Sequence, residues 1–98
     1  MPYIAPERRP LYDDAIAALA AAIDAETPGG DINYIVTRLV AHWIRKRGLS
    51  YGVLADAVGV METAKLELYR RVAVPYEDRK IEENGEVYGD LPTDSTQR

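Results

Sequence analysis

The chain has 98 residues, enough for one small domain, and no cysteine, which excludes a disulfide framework, thiol chemistry and a Cys-based zinc site. A single histidine excludes any site that needs two, and a net charge of -4 with a pI near 4.9 argues against general nucleic-acid binding. No apolar run approaches the roughly 18 residues of a membrane helix and the N-terminus lacks a signal pattern, so the expected compartment is the cytoplasm of a bacterial host cell.

Residues 1–12, MPYIAPERRPLY, carry Pro2, Pro6 and Pro10. Each proline removes a backbone donor and biases its predecessor away from helix, so this stretch reads as an extended arm. A first helix is expected from Asp13, with Ile16, Leu19, Ala20 and Ile23 as its apolar stripe and the turn Thr27-Pro28-Gly29-Gly30 as its end. Asp31 reads as the N-cap of a second helix. Ile32, Ile35, Val36, Leu39, Val40, Trp43 and Ile44 line one side of that helix at core spacing. Arg45, Lys46 and Arg47 suit the negative end of the dipole, and Gly48 closes the helix.

Ser50 reads as the cap of a long third helix, on which the rest of the chain is expected to pack. Its predicted core face is Leu54, Ala57, Met61, Ala64 and Leu68, widened by Val58, Leu66, Tyr69, Val72 and Ala73. Pro75 cannot bond the carbonyl four residues back, so a kink or restart is expected there. Helical character resumes over residues 76–83 and stops at Asn84-Gly85. Residues 86–88 read as a tail segment or as a brief strand beside residues 2–4, and residues 89–98 as a disordered tail. The expectation is therefore an all-α fold: one helical domain over 13–88, an extended arm and a mobile tail.

Charge is unevenly spread. Between Ile32 and Ala55 there are four bases and no acid, whereas from Val72 onward there are seven acids and three bases. Such halves pair within a chain or between subunits. The stretch GLSYGVLADAVGV imitates a helix-turn-helix reader of DNA, but Met61 is a poor cap at the required turn, and Glu62 and Glu67 would repel phosphate. An unbroken helix accounts better for the apolar spacing. Gly52, Ala55, Gly59 and Thr63 form a small-residue side that admits a close helix, either within the chain or from a second copy. That side and the modest core suggest a homo-oligomer, most simply a two-fold dimer.

The densest polar chemistry lies between Met61 and Gly85. Lys65, Tyr69, Tyr76 and Lys80 are expected on roughly one side, and Glu67 can pair with Arg71 four residues on. One reading is a solvated face. The other is a pocket in which Arg70 or Arg71, with Arg38 from the second helix, holds phosphate or carboxylate while tyrosines stack a ring. His42 has no catalytic or metal-ligand pattern around it, and Gly29-Gly30-Asp31 lacks the lysine of a phosphate loop. No catalytic constellation, metal site or cofactor site is apparent, so the expected protein is not an enzyme.

The segments MPYI, GDINYIVTRLV and METAKLELYRRVAVPYEDRKIEENGEVY resemble a family of small proteins that recurs in phage and prophage genomes. The shared pattern is G-D-[LI]-N-Y-x-I-T-R-L followed by K-L-E-x-Y-R-R-V-x-x-P-Y-E-D-x-K-I-x-E-N-G-[DE]-V-Y, and it reaches Tyr88. Val36 and Arg79 are mild departures. The resemblance implies a phage-associated origin and directs attention to Asn33, Arg38, Lys65, Glu67, Tyr69, Arg70, Arg71, Tyr76, Glu77, Asp78, Lys80 and Asn84. The expected function is capture of an anionic, nucleotide-like ligand, such as sequestration of a nucleotide immune signal. The alternatives are a structural or protein-interaction accessory and a helix-turn-helix regulator.

Overall fold

The computed structural model describes residues 2–93. The regular structure of the described residues is all helical: a 3-10 turn at Pro6–Arg8, α1 at Pro10–Ala20, α2 at Gly29–Arg47, α3 at Tyr51–Leu68, a π turn at Tyr69–Ala73 and α4 at Val74–Asn84. No strand occurs among the described residues, so residues 86–88 do not pair with residues 2–4. Instead the Glu86 carboxylate accepts the backbone N–H groups of Val87 at 2.9 Å and Tyr88 at 3.1 Å. Two compact units are distinguished, Met1–Ala64 and Lys65–Arg98.

In the first unit the extended arm is shorter than expected. Pro6 opens the 3-10 turn and Pro10 opens α1, each at a first-turn position where the missing N–H has no helical partner to lose. The arm that remains is tied to α1's N-terminus by Arg9, whose Nε donates to the Ile4 carbonyl at 3.1 Å. Helix α1 ends at Ala20, well before Thr27. The cause is local. Thr27 Oγ1 accepts the Asp24 N–H at 3.0 Å, and Asp24 Oδ1 accepts the Glu26 N–H at 2.9 Å. These side-chain bonds replace the helical ladder with a turn. Helix α2 then begins at Gly29, with Pro28 as its extended N-cap residue. Asp31 is therefore not the cap. It lies in the first turn, where its charge still suits the dipole.

The other end of α2 is as the sequence predicts. Gly48 adopts φ +90° and donates to the Ile44 carbonyl at 2.8 Å, a backbone conformation that favours glycine. Two residues later Ser50 Oγ accepts the Val53 N–H at 3.2 Å and caps α3. Helix α3 runs unbroken through Gly59 and Met61, so the turn that a helix-turn-helix reader requires is absent.

Burial departs most from expectation. Among the apolar side chains of the described residues, only Val53 and Ala57 are buried. Leu54, Met61 and Leu68, expected in the core, are 42%, 41% and 63% exposed. On α2, Ile32, Val36, Leu39 and Trp43 are exposed as well, while Ile35, Val40 and Ile44 are half-buried. The reason is that α1, α2 and α3 do not pack closely along their lengths. The inward side of α3 is thus the one carrying Val53 and Ala57. Gly52 and Gly59 face open space, with no described atom within 4 Å of where a Cβ would stand, so no described side chain packs closely against either glycine.

In the second unit the irregularity expected at Pro75 is present as a π turn followed by a restarted helix. The backbone takes a π turn just before it, in which the Val74 N–H reaches the Tyr69 carbonyl five residues back. Pro75 then falls at the start of α4, where its lack of a donor is tolerated. Helix α4 closes at Gly85, φ +90°, whose N–H meets the Ile81 carbonyl at 2.8 Å. Within the expected tail, Leu91 donates to the Tyr88 carbonyl at 3.4 Å, and residues 94–98 lie outside the described residues.

Candidate functional site

The expected ligand residues divide between the units. Arg38 belongs to α2 in the first, and Lys65, Tyr69, Arg70, Arg71, Tyr76 and Lys80 belong to the second. Arg38 is engaged by its own helix: Nη1 donates to the Tyr34 hydroxyl at 2.6 Å, and the guanidinium carbon lies 5.6 Å from that ring's centroid. The four-residue spacing brings the two side chains together on one side of the helix.

In the second unit the governing residue is Glu67. It is the one buried charged residue among those described. Arg70 forks onto it, with Nη2 2.7 Å from Oε1 and Nε 3.4 Å from Oε2. The expected pairing of Glu67 with Arg71 is replaced by this one. Positions three and four residues on are both within reach of a helical carboxylate, and spacing alone does not separate them. Arg70 is therefore held internally, with its guanidinium still 65% exposed on the outer side. Arg71 makes no hydrogen bond or ion pair among the described residues.

The π turn divides the remaining residues. One extra residue in a turn rotates everything after it by about 100° relative to a continuous α-helix. Tyr76 and Lys80 are thereby turned away from the side they were expected to share with Lys65 and Tyr69. They keep a local arrangement of their own. The Tyr76 ring lies 5.5 Å from Lys80 Nζ and 5.7 Å from the Arg79 guanidinium carbon, and Lys80 also bonds Glu83 at 3.1 Å. Such contacts favour a cation over the ring face.

Two clefts are described, both in the first unit. One, of about 430 Å³, lies where Leu19 and Ile23 meet Asp31, Tyr34 and Ile35. The other, of about 220 Å³, lies between the arm and α1, lined by Pro2, Ile4, Arg9, Tyr12, Asp13 and Ile16. None of the expected ligand residues lines either. The larger cleft exists because α1 stops at Ala20 instead of continuing through Ile23 to Thr27 as the apolar spacing predicts. The Asp24-x-x-Thr27 turn was the signal available for it.

A family model described as a domain of unknown function, DUF6899, matches residues 1–87. The chain belongs to this family. No curated protein and no solved structure matches it. The DUF6899 match covers all four helices, the Glu67–Arg70 fork and every residue expected to bind a ligand. It ends at Val87. Among the described residues of this family member, no helix is long and apolar enough to cross a membrane.

Proposed function

We propose that this DUF6899 member is a non-enzymatic, self-associating interaction protein, phage-associated and acting in the host cytoplasm. The observation that supports this reading is the exposure of the apolar stripes on α2 and α3 beside a buried apolar set of only Val53 and Ala57 among the described residues. One buried valine, at about 1.5–3 kcal/mol, and one alanine methyl, at about 0.8 kcal/mol, do not offset the conformational entropy lost in ordering these helices. An apolar partner surface would complete the core, and a second copy supplies one. The melting temperature is expected to rise with protein concentration, because association stabilises the folded state by mass action. Circular-dichroism melts over a hundredfold concentration range, with sedimentation to give the mass, test this. A concentration-independent melt from a strict monomer removes the reading.

A second reading is kept for one observation. Arg71 has no acceptor among the described residues, and its guanidinium does not deprotonate. An anionic ligand such as a nucleotide would supply one, with Tyr69 or Tyr76 as stacking surface and Lys65, Arg70 or Lys80 as further cations. In that case the protein sequesters a nucleotide signal. Cyclic nucleotides and ADP-ribose are then expected to raise the melting temperature of the wild-type chain and not that of Arg71→Ala. A screen without any shift removes this reading.

A further inference from the structure

Resting on the self-association reading, we propose that the partner of α2 is the α2 helix of a second copy, running antiparallel about a two-fold axis between Thr37 and Arg38. Three features of the helix point to this arrangement. Ile32, Val36, Leu39 and Trp43 fall within an arc of about 60° on the helix surface, and all four are exposed. Their steps of four, three and four are the spacing of a coiled-coil seam, and they read the same in both directions. A two-fold between Thr37 and Arg38 therefore sets Ile32 against Trp43 of the second copy and Val36 against its Leu39, then repeats both contacts. This is the self-complementarity that a two-fold interface requires.

Charge gives the same direction. Asp31 lies in the first turn of α2, and Arg45, Lys46 and Arg47 in the last. Parallel helices would set like charge beside like, whereas antiparallel helices bring each acidic end to a basic end and oppose the two macrodipoles. Asp31 and Lys46 sit on the same flank of the seam at opposite ends of the helix. Neither side chain has a hydrogen bond or ion pair among the described residues. In the antiparallel pair each Lys46 comes within reach of the other copy's Asp31.

The area is sufficient. At about 200 Å² for a large side chain, the exposed parts of the four seam residues and of Tyr51, Leu54, Val58 and Met61 on α3 amount to roughly 800 Å² per chain. One partner contributes about that much to a standard protein–protein interface. The α2 seam supplies nearly half, and the exposed α3 residues of the same unit are the further apolar surface that a second copy would have to cover.

The chain lacks cysteine, so introduced thiols report cleanly on direction. Ile32→Cys and Trp43→Cys variants, one carrying a size tag, are oxidised separately and mixed. Antiparallel pairing gives the mixed disulfide and little of either self-disulfide, because like positions are then about 16 Å apart along the helices and a disulfide spans less than about 7 Å. Self-disulfides without the mixed species mean parallel pairing and overturn the proposal, as does the absence of any crosslink. As an independent measurement, Lys46→Glu is expected to weaken dimerisation several-fold and the double variant with Asp31→Lys to restore it. Failure of the double variant to restore it counts against the proposal even if the cysteine variants fold poorly. A dimer by sedimentation without the mixed disulfide overturns this geometry alone, whereas a monomer removes the self-association reading with it.

Discussion

Ala57→Asp is expected to abolish the helical circular-dichroism signal of the chain at room temperature. Ala57 is 2% exposed, the most buried residue described. An ionised carboxylate taken out of water without a partner costs several kcal/mol, a large share of the roughly 5–15 kcal/mol by which small domains are stable. Ala57→Leu tests the same packing without charge and should cost about 1–3 kcal/mol through overpacking. Ala55→Asp, two residues away and exposed, is the control. It should lose under about 1 kcal/mol, the difference in helix propensity. Urea titrations of the three variants at one protein concentration give the comparison. Equal losses at positions 55 and 57 would show that α3 has no inward side.

The second large effect belongs to the adjacent arginines, which should behave unequally. Arg70→Ala removes the fork from a carboxylate that is 11% exposed, and an under-satisfied buried charge costs about 1–3 kcal/mol or more. Arg71→Ala removes a side chain without a partner among the described residues and should stay within about 0.5 kcal/mol of wild type. Arg70→Lys should recover only part of the loss, because an ammonium cannot engage both carboxylate oxygens as the planar fork does. Chemical denaturation of the three variants checks the ordering. A loss at Arg71 equal to that at Arg70 would mean that Glu67 is shared between them.

These two positions also mark where sequence reading succeeds and where it stops. Helix type was legible because its signals are local. Ser50 caps α3 and Gly48 ends α2 through backbone conformations and bonds that the residue types themselves favour. The continuity of α3 past Gly59 followed from apolar spacing. The start of α2 was misread because Asp31 is an excellent cap by type, while Pro28 holds that position by its fixed φ. What spacing does not carry is which side of a helix meets a partner. Leu54, Met61 and Leu68 have core spacing, yet they stay exposed in the single chain, and Ala57 alone of the expected face is buried. The candidate site was legible in composition only. Glu67 could reach Arg70 or Arg71 equally well on a helical net, and the π turn that separates Tyr76 from Tyr69 leaves no mark in periodicity beyond Pro75 itself.

That π turn makes the length of the chain near Tyr69–Ala73 an adjustable quantity. A residue lost from an ordinary α-helix throws every later side chain out of phase. Here the helix already holds one residue more than an α-helical ladder accommodates, so a deletion at Val72 would return the turn to α geometry. Pro75 opposes that return, because in the α ladder its ring meets the carbonyl four residues back. The deletion and Pro75→Ala are therefore coupled: each alone leaves the backbone mismatched or strained, and together they yield one unbroken α-helix whose acidic end points in a new direction. Homologues differing in length by one residue at this turn would be expected to differ at the proline as well.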